Sequence, residues 1–308
     1  MTKGDTAEIA AEALKSGRLV LLPTETVYGL AADASNPTAV ARIFEAKGRP
    51  KFNPLIAHVS SALEAEKIAI FDARARALAE AFWPGPLTIV APVRDQKGVC
   101  DLARAGLDSV AVRVPSHPRA RAVISAFGGA VVAPSANRSG RPSPTTFDDA
   151  MEETGKAVGA AVDGGRCTVG VESTVVSVLG GEVALLRPGS VTRDEIEAVI
   201  GHLSAQAEEG HRSPGRMALH YAPDAPVRIN ARGAEEGEIL LGFGPGTGEA
   251  RWSLSPKGDL REAAANLFRM LREADRTKPK GIAVSPIPAN GLGEAINDRL
   301  RRAAGFVG

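Results

Sequence analysis

Short apolar runs alternate with amphipathic stretches along most of the chain, and their spacing predicts an α/β fold. Ile9, Ala10, Ala13 and Leu14 share one face of a helix that Thr6 can cap and Gly17 can end. "RLVLL" (18–22) reads as a buried strand stopped by Pro23. Asn36-Pro37 supplies an N-cap and a first-turn proline to a second helix, with Val40, Ile43 and Phe44 inward and Gly48 beyond its end. Further strands are expected at 55–59, 87–93, 110–114 and 130–134, with helical patterns at about 60–68, 72–82, 117–127 and 146–154 between them. Two apolar runs within 174–189 flank Gly180-Gly181, a strong hairpin signal. Interspersed strands and helices with a hairpin predict a mixed sheet rather than a purely parallel one.

The pattern changes after Ile200. Residues 201–226 are polar, rich in Ala, Gly and Pro, and lack a sustained period, so they read as a linker. From 227 an α/β pattern restarts with "VRIN", "EILLGF", a helix near 259–275, "GIAVSP" and a last helix near 293–304. The expected division is a domain over 1–200, a linker over 201–226 and a smaller α/β domain over 227–308. "GFGPGTG" (242–248) lacks the spacing of GxGxxG and opens no convincing helix, so it reads as a surface loop.

Composition narrows the function. The 308 residues carry 37 Lys and Arg against 36 Asp and Glu, a net charge of +1. No global field advertises a polyanion, so any nucleotide or nucleic-acid contact must come from local patches. Cys100 and Cys167 form no zinc spacing and no disulfide framework, which predicts a reducing compartment. The N-terminal stretch carries acids and lacks an apolar signal core, and no apolar run approaches a membrane span. A cytoplasmic protein without membrane association is expected.

Four stretches set polar residues beside apolar strands. "PTETVYGLAAD" (23–33) leaves the first strand with Thr24, Glu25, Thr26 and Tyr28, where α/β folds often hold ligands; a capped turn with hydroxyls on backbone is the bland alternative. "KGRPKFNPLIAH" (47–58) gathers Lys47, Arg49 and Lys51 around Pro50 and Pro54. A solvated basic loop needs no such stiff backbone, whereas cations held ready for an anion do. Arg49 offers a planar fork for phosphate oxygens and Lys47 a movable point charge. His58 sits in an apolar run, where a satisfied core histidine is commoner than a catalyst. In "SVAVRVPSHP" (109–118), Arg113 interrupts an alternating strand. Buried unpaired it would cost on the order of several kcal/mol, so an inward Arg113 predicts a carboxylate or phosphate partner. "APSANRSGRPSPTT" (133–146) adds hydroxyls, an amide and two arginines. The chain has neither a Walker A sequence nor a GxSxG elbow, so Ser135 is read as a binding hydroxyl. Together the four could line one pocket for an anionic ligand.

"PTETVYGL", "KGRPKFNPLIAH", "VAVRVP", "PSANRSGRPSPT", "GVESTVV" and "LRPG" occur in that order and resemble the YrdC/Sua5 family of L-threonylcarbamoyladenylate synthases. "SPGRMALHYAP" (213–223) resembles the linker motif of the two-domain Sua5 type, and "GLGEAINDRLRRAA" the end of its second domain. The resemblance implies a YrdC-like domain with a twisted mixed sheet and flanking helices, plus a smaller Rossmann-like α/β C-terminal domain. It implies a reaction in which threonine and bicarbonate give N-carboxythreonine, whose carboxylate attacks the α-phosphorus of ATP. Threonylcarbamoyl-AMP and pyrophosphate result, and the tRNA threonylcarbamoyl transferase machinery uses the product for the t6A37 modification of tRNAs reading ANN codons. Such a reaction needs positioning and charge neutralisation more than a nucleophile.

On the same resemblance, Thr26, His58, Arg113, Ser135 and Ser173 fall on the threonine side, with Arg113 clamping the carboxylate. Lys47, Arg49, Asn53, Ser109, Asn137, Thr145 and Arg187 fall on the ATP side, Lys47 and Arg49 as the catalytic cations, and Tyr221 would reach back over the nucleotide. Mg²⁺ is expected with the triphosphate, and no protein ligand to it is assigned. The linker has "RMAL" where many relatives are more basic, and Ser109 stands where threonine is common. The competing reading is an RNA-binding module without adenylating activity, against which near-neutral charge and few aromatics argue, leaving at most a weak RNA contact. Carbamoyl transfer of the hydrogenase-maturation type ranks last, because its zinc-binding cysteine clusters are missing here.

Overall fold

The local signals close the first helices as expected. Thr6 accepts a hydrogen bond from the Ile9 amide at the start of α1 (Ala7–Lys15). Asn36 accepts from the Thr38 and Ala39 amides ahead of α2 (Pro37–Lys47), and Gly48 follows at φ +59°, where a side chain would be strained. The computed structural model describes residues 5–49, 53–204, 220–247 and 249–305. The central stretch of the expected linker, 205–219, therefore lies outside the described residues, as do Pro50 and Lys51.

The larger sheet has nine strands: β1 (Leu19–Leu22), β2 (Gly29–Asp33), β3 (Ile56–His58), β4 (Leu87–Pro92), β5 (Ser109–Arg113), β6 (Val131–Val132), β7 (Val158–Ala161), β8 (Thr174–Ser177) and β9 (Ala184–Arg187). Their order is β7-β1-β2-β6-β3-β5-β4-β8-β9. The β1–β7, β3–β5 and β4–β8 pairs are parallel and the rest antiparallel, so the sheet is mixed. β8 and β9 form the expected hairpin. β2 was not among the expected strands: the end of the 23–33 stretch, Gly29–Asp33, is a strand held between β1 and β6.

One face of this sheet packs against α2, α3 (Ala62–Ile68), α4 (Ala73–Phe82) and neighbouring segments, including α5 (Asp101–Arg104), in the main core. On the other face, α1 and α6 (Pro118–Phe127) cover Val20, Leu22, Ala31 and Val131. Directly paired residues share a face, and Val131 pairs with His58, which pairs with Arg113. The same face continues as a small apolar floor of Ile56, Ala111, Val90 and Val175. α7 (Phe147–Thr154) and α8 (Arg193–Ile200) complete this part of the chain.

The smaller sheet is all parallel, in the order β10-β13-β11-β12: β10 (Val227–Arg228), β13 (Gly281–Val284), β11 (Glu238–Phe243) and β12 (Ser253–Ser255). It packs with α9 (Leu260–Arg276) and α10 (Leu292–Ala303) around its own core. That core also takes in Val27 and Val171 from loops of the larger sheet. Gly170 shows how closely the parts meet: at φ +79°, a Cβ there would lie 2.4 Å from Cα of Ala265 on α9. Around this seam run ion pairs, Arg272 to Glu153 at 3.0 Å and Arg141 to Asp224 at 3.0 Å among them. Residues just before β10 are docked too, since Ala222 donates to the Gly140 carbonyl at 2.8 Å. Among the described residues, no helix is long and apolar enough to cross a membrane.

Candidate active site

A cavity opens on the uncovered half of the larger sheet, bounded by strand ends, by the 133–135 and 172–173 loops and by His220-Tyr221. Its free space is about 50 Å³, room for a few waters and too little for an amino acid with a nucleotide. Among the described residues, three arginines (Arg49, Arg113 and Arg187) and one carboxylate (Glu172) line it, a balance suited to an anion.

At the end formed by β3 and β5, Thr26, His58, Arg113 and Ser135 come together. The turn after β1 reconciles both readings of "PTET". Thr24 caps the turn, donating to the Val27 carbonyl at 2.6 Å, and its oxygen lies 2.8 Å from that of Thr26, which lines the cavity. His58 donates through Nδ1 to the Ile56 carbonyl at 3.1 Å, which leaves Nε2 as an acceptor. Burial first, then the charge of Arg113, holds the His58 pKa down at about 3, so the ring is neutral. Arg113 has the partner its inward position requires, the Glu25 carboxylate at 2.6 Å, and donates through Nε to the Gly85 carbonyl at 3.2 Å. Burial alone would raise the Glu25 carboxyl, but the charge and hydrogen bond of Arg113, with backbone N–H groups, outweigh it and lower its pKa. Nothing local in "PTET" marks Glu25 for this role.

The other cations lie apart, Arg49 before the start of β3 and Arg187 at the close of β9, where it pairs with Val175. Arg49 donates to the Pro54 carbonyl at 3.3 Å. Arg187 donates through Nε and Nη2 to the Ser173 carbonyl at 3.1 and 2.9 Å, and to its hydroxyl at 3.1 Å. Ser173 also meets the Thr88 hydroxyl at 2.8 Å. Tyr221 holds φ +63°, unusual for an aromatic residue, with its ring 5.3 Å from that of Phe268 and 3.9 Å from His220.

Lys47 requires a correction. It is not a movable charge in the cavity: its ammonium is buried and donates to the carbonyls of Ser135 and Asn137, tying α2 to that loop. Asn53, Ser109, Asn137 and Thr145 are buried and do not line the cavity either. Ser109 lies two residues before Ala111 on β5, on the face that carries Ala111 and Arg113. Asn137 donates to the carbonyls of Arg138 and Arg141, while its Oδ1 and the Thr145 hydroxyl lack a partner among the described residues.

Glu172, Arg299 and His220 escaped sequence reading. Glu172 accepts from Ser143 and from Nε of Arg299 at 2.9 Å. Its burial would raise the carboxyl, but Arg299, Arg187 and Ser143 overcome this and lower it. A carboxylate beside a serine and an arginine on a distant helix carry no local signal. Among the described residues, no group of three His, Cys, Asp or Glu side chains could hold a metal ion.

Comparison with known proteins agrees with this geometry. The Sua5/YciO/YrdC family model, described as "Telomere recombination", matches residues 12–189, and the model of the threonylcarbamoyl-AMP synthase C-terminal domain matches 191–305. Threonylcarbamoyl-AMP synthase of Pyrococcus abyssi is 39% identical over 97% of this chain and 94% of its own length. That of Bacillus subtilis is 38% identical over 96% of this chain and 92% of its own. The crystal structure of P. abyssi Sua5 complexed with L-threonine superposes with a TM-score of 0.89 at 38% identity, covering 97% of this chain and 94% of that one. By sequence and by structure, over nearly its whole length, the chain belongs to the Sua5/YciO/YrdC family in its two-domain form.

Proposed function

We infer that this chain is a threonylcarbamoyl-AMP synthase, joining L-threonine, bicarbonate and ATP. The observation that carries the reading is a cavity lined by Arg49, Arg113 and Arg187 beside a neutral His58, with cations enough to hold two anionic substrates together. The pairing of Arg113 with Glu25 leaves its remaining N–H groups for the threonine carboxylate. His58 Nε2, an acceptor, suits the threonine hydroxyl. The amine condenses with bicarbonate, releasing water and forming a carbamate. One carbamate oxygen then bonds to the α-phosphorus as the bond to the β-phosphate oxygen breaks, and pyrophosphate leaves with that electron pair.

This chain's part is to place the two anions in line and neutralise charge as it shifts toward the leaving group. Arg49 and Arg187 do this at the phosphates. Lys47 acts at one remove, fixing the Ser135–Asn137 loop. The unpartnered oxygens of Asn137 and Thr145 favour a nucleotide contact, since a buried oxygen without a donor costs about 1–3 kcal/mol. The apolar floor below Ser109 offers a surface for the base. Among the described residues, Glu172 in the cavity wall and Glu25 behind Arg113 are each engaged by an arginine, so they do not form a cage for Mg²⁺. Magnesium would arrive on the triphosphate, bound by phosphate oxygens and water.

His220-Tyr221 adds to the cavity a wall from outside the larger sheet. The product, a labile mixed anhydride, suits transfer to tRNA by a separate transferase in the cytoplasm. Calorimetry tests the threonine end directly. L-Valine, isosteric but without the hydroxyl, should bind roughly ten- to hundredfold more weakly than L-threonine; equal binding would remove the assignment.

A further inference from the structure

We infer that Arg299, on the last helix of the C-terminal domain, is a positioning residue that assembles the nucleotide side of the cleft, so that the second domain is part of the active site. This rests on the function proposed above. Arg299 has no solvent exposure, although it lies on a helix whose neighbouring arginine, Arg301, is exposed. Its guanidinium crosses the domain seam. Nε donates to Glu172 at 2.9 Å, and Nη1 donates to the Pro188 carbonyl at 2.7 Å and to Asp298 at 2.8 Å. Its Cζ stands 5.5 Å from the centre of the Tyr221 ring.

Apart from Asp298 on its own helix, each contact reaches a different segment of the cavity wall or its support. Glu172 precedes Ser173 and also accepts from Ser143, in the loop that carries Asn137. Pro188 follows Arg187, the cation that grips Ser173. Tyr221 lines the cavity itself. One planar fork with several fixed donors can hold three separate segments in register, which a lysine cannot. Arg299 does not line the cavity, so it acts through these neighbours. None of its contacts reaches Thr26, His58 or Arg113, and it touches the threonine side only at one remove, through Glu172 and Arg187 to Ser173. Its influence should therefore fall mainly on the nucleotide and less on the amino acid.

Arg299→Met alone strands a buried carboxylate and risks misfolding. The double variant Arg299→Met with Glu172→Gln removes both charges at similar volume, and so keeps the test alive. The full-length double variant should fold and show a KM for ATP raised at least about tenfold in the pyrophosphate-release assay, while L-threonine binding by calorimetry weakens severalfold less than that. Arg299→Lys should recover only part of the ATP affinity. If the double variant has an unchanged KM for ATP, Arg299 merely balances Glu172 and the inference is overturned. Equal loss of both ligands would overturn it too, as would full recovery with lysine. Absence of threonine-dependent pyrophosphate release in the unchanged protein would instead defeat the underlying function.

Discussion

Arg113 donates to Glu25 across 2.6 Å, and the two side chains are only 4% and 8% exposed. The pair solves the cost of an arginine inside a strand by supplying the counter-charge from the turn after β1. Removing the carboxylate alone leaves a buried cation, so Glu25→Ala should destabilise the protein by about 3–5 kcal/mol in denaturant unfolding. Arg113→Ala should weaken L-threonine binding roughly ten- to hundredfold, because it deletes a charge-assisted pair. An unfolding midpoint for Glu25→Ala equal to that of the unchanged protein would show that the pair bears no such strain.

Acid should weaken the fold before carboxylates titrate. His58 is held neutral in the fold, with its pKa lowered to about 3, and His220 is lowered well below its usual value by burial and by Arg49, Lys47, Arg299 and Arg187. The unfolded chain binds protons at these imidazoles below about pH 6.5. Stability is therefore full above that pH and is lost as pH falls from there toward the folded value. The loss is about 1.4 kcal/mol per pH unit for each histidine. Urea midpoints between pH 7.5 and 5 should show it, and His58→Asn should remove about one histidine's share. A slope untouched by that change would count against a buried neutral His58.

How far the sequence carried can be judged from particular residues. Thr6, Asn36-Pro37 and Gly180-Gly181 act within a few positions of themselves, so the helix starts and the hairpin were legible. β2 was not, because "GLAAD" has no β-branched residue and is a strand only through pairing with β1 and β6. At the site, Arg113 announced that it needed a partner, but not that Glu25 was that partner, 88 positions away. Arg299 and Glu172 are 127 positions apart and meet only after two domains dock. The motif around Lys47 points to a ligand-facing charge because it says nothing about the carbonyls that claim the ammonium.

Gly170 should be intolerant of any side chain. Its φ of +79° favours glycine, and an added Cβ would lie 2.5 Å from the Ala264 carbonyl oxygen. Gly170→Val should push α9 away from the larger sheet, lower the melting temperature and make the seam more open to proteolysis. Unchanged melting and protease resistance would mean that the backbone there can yield.

Tyr221 is predicted to serve through its ring. It packs against Phe268, and among the described residues its hydroxyl, whose pKa burial raises to about 12, has no hydrogen-bond partner. Tyr221→Phe should keep stability within about 0.5 kcal/mol, while Tyr221→Ala should cost about 3–5 kcal/mol, the usual loss for emptying an aromatic core site. Thermal unfolding of the two variants separates these cases, and equal effects would contradict the ring's structural role.

The most direct measurement is product formation with each substrate withheld in turn. Chromatography of reactions containing purified protein, Mg²⁺, ATP, L-threonine and bicarbonate should show threonylcarbamoyl-AMP and pyrophosphate only when all three substrates are present. ATP cleavage that proceeds equally well without threonine or without bicarbonate would contradict the account.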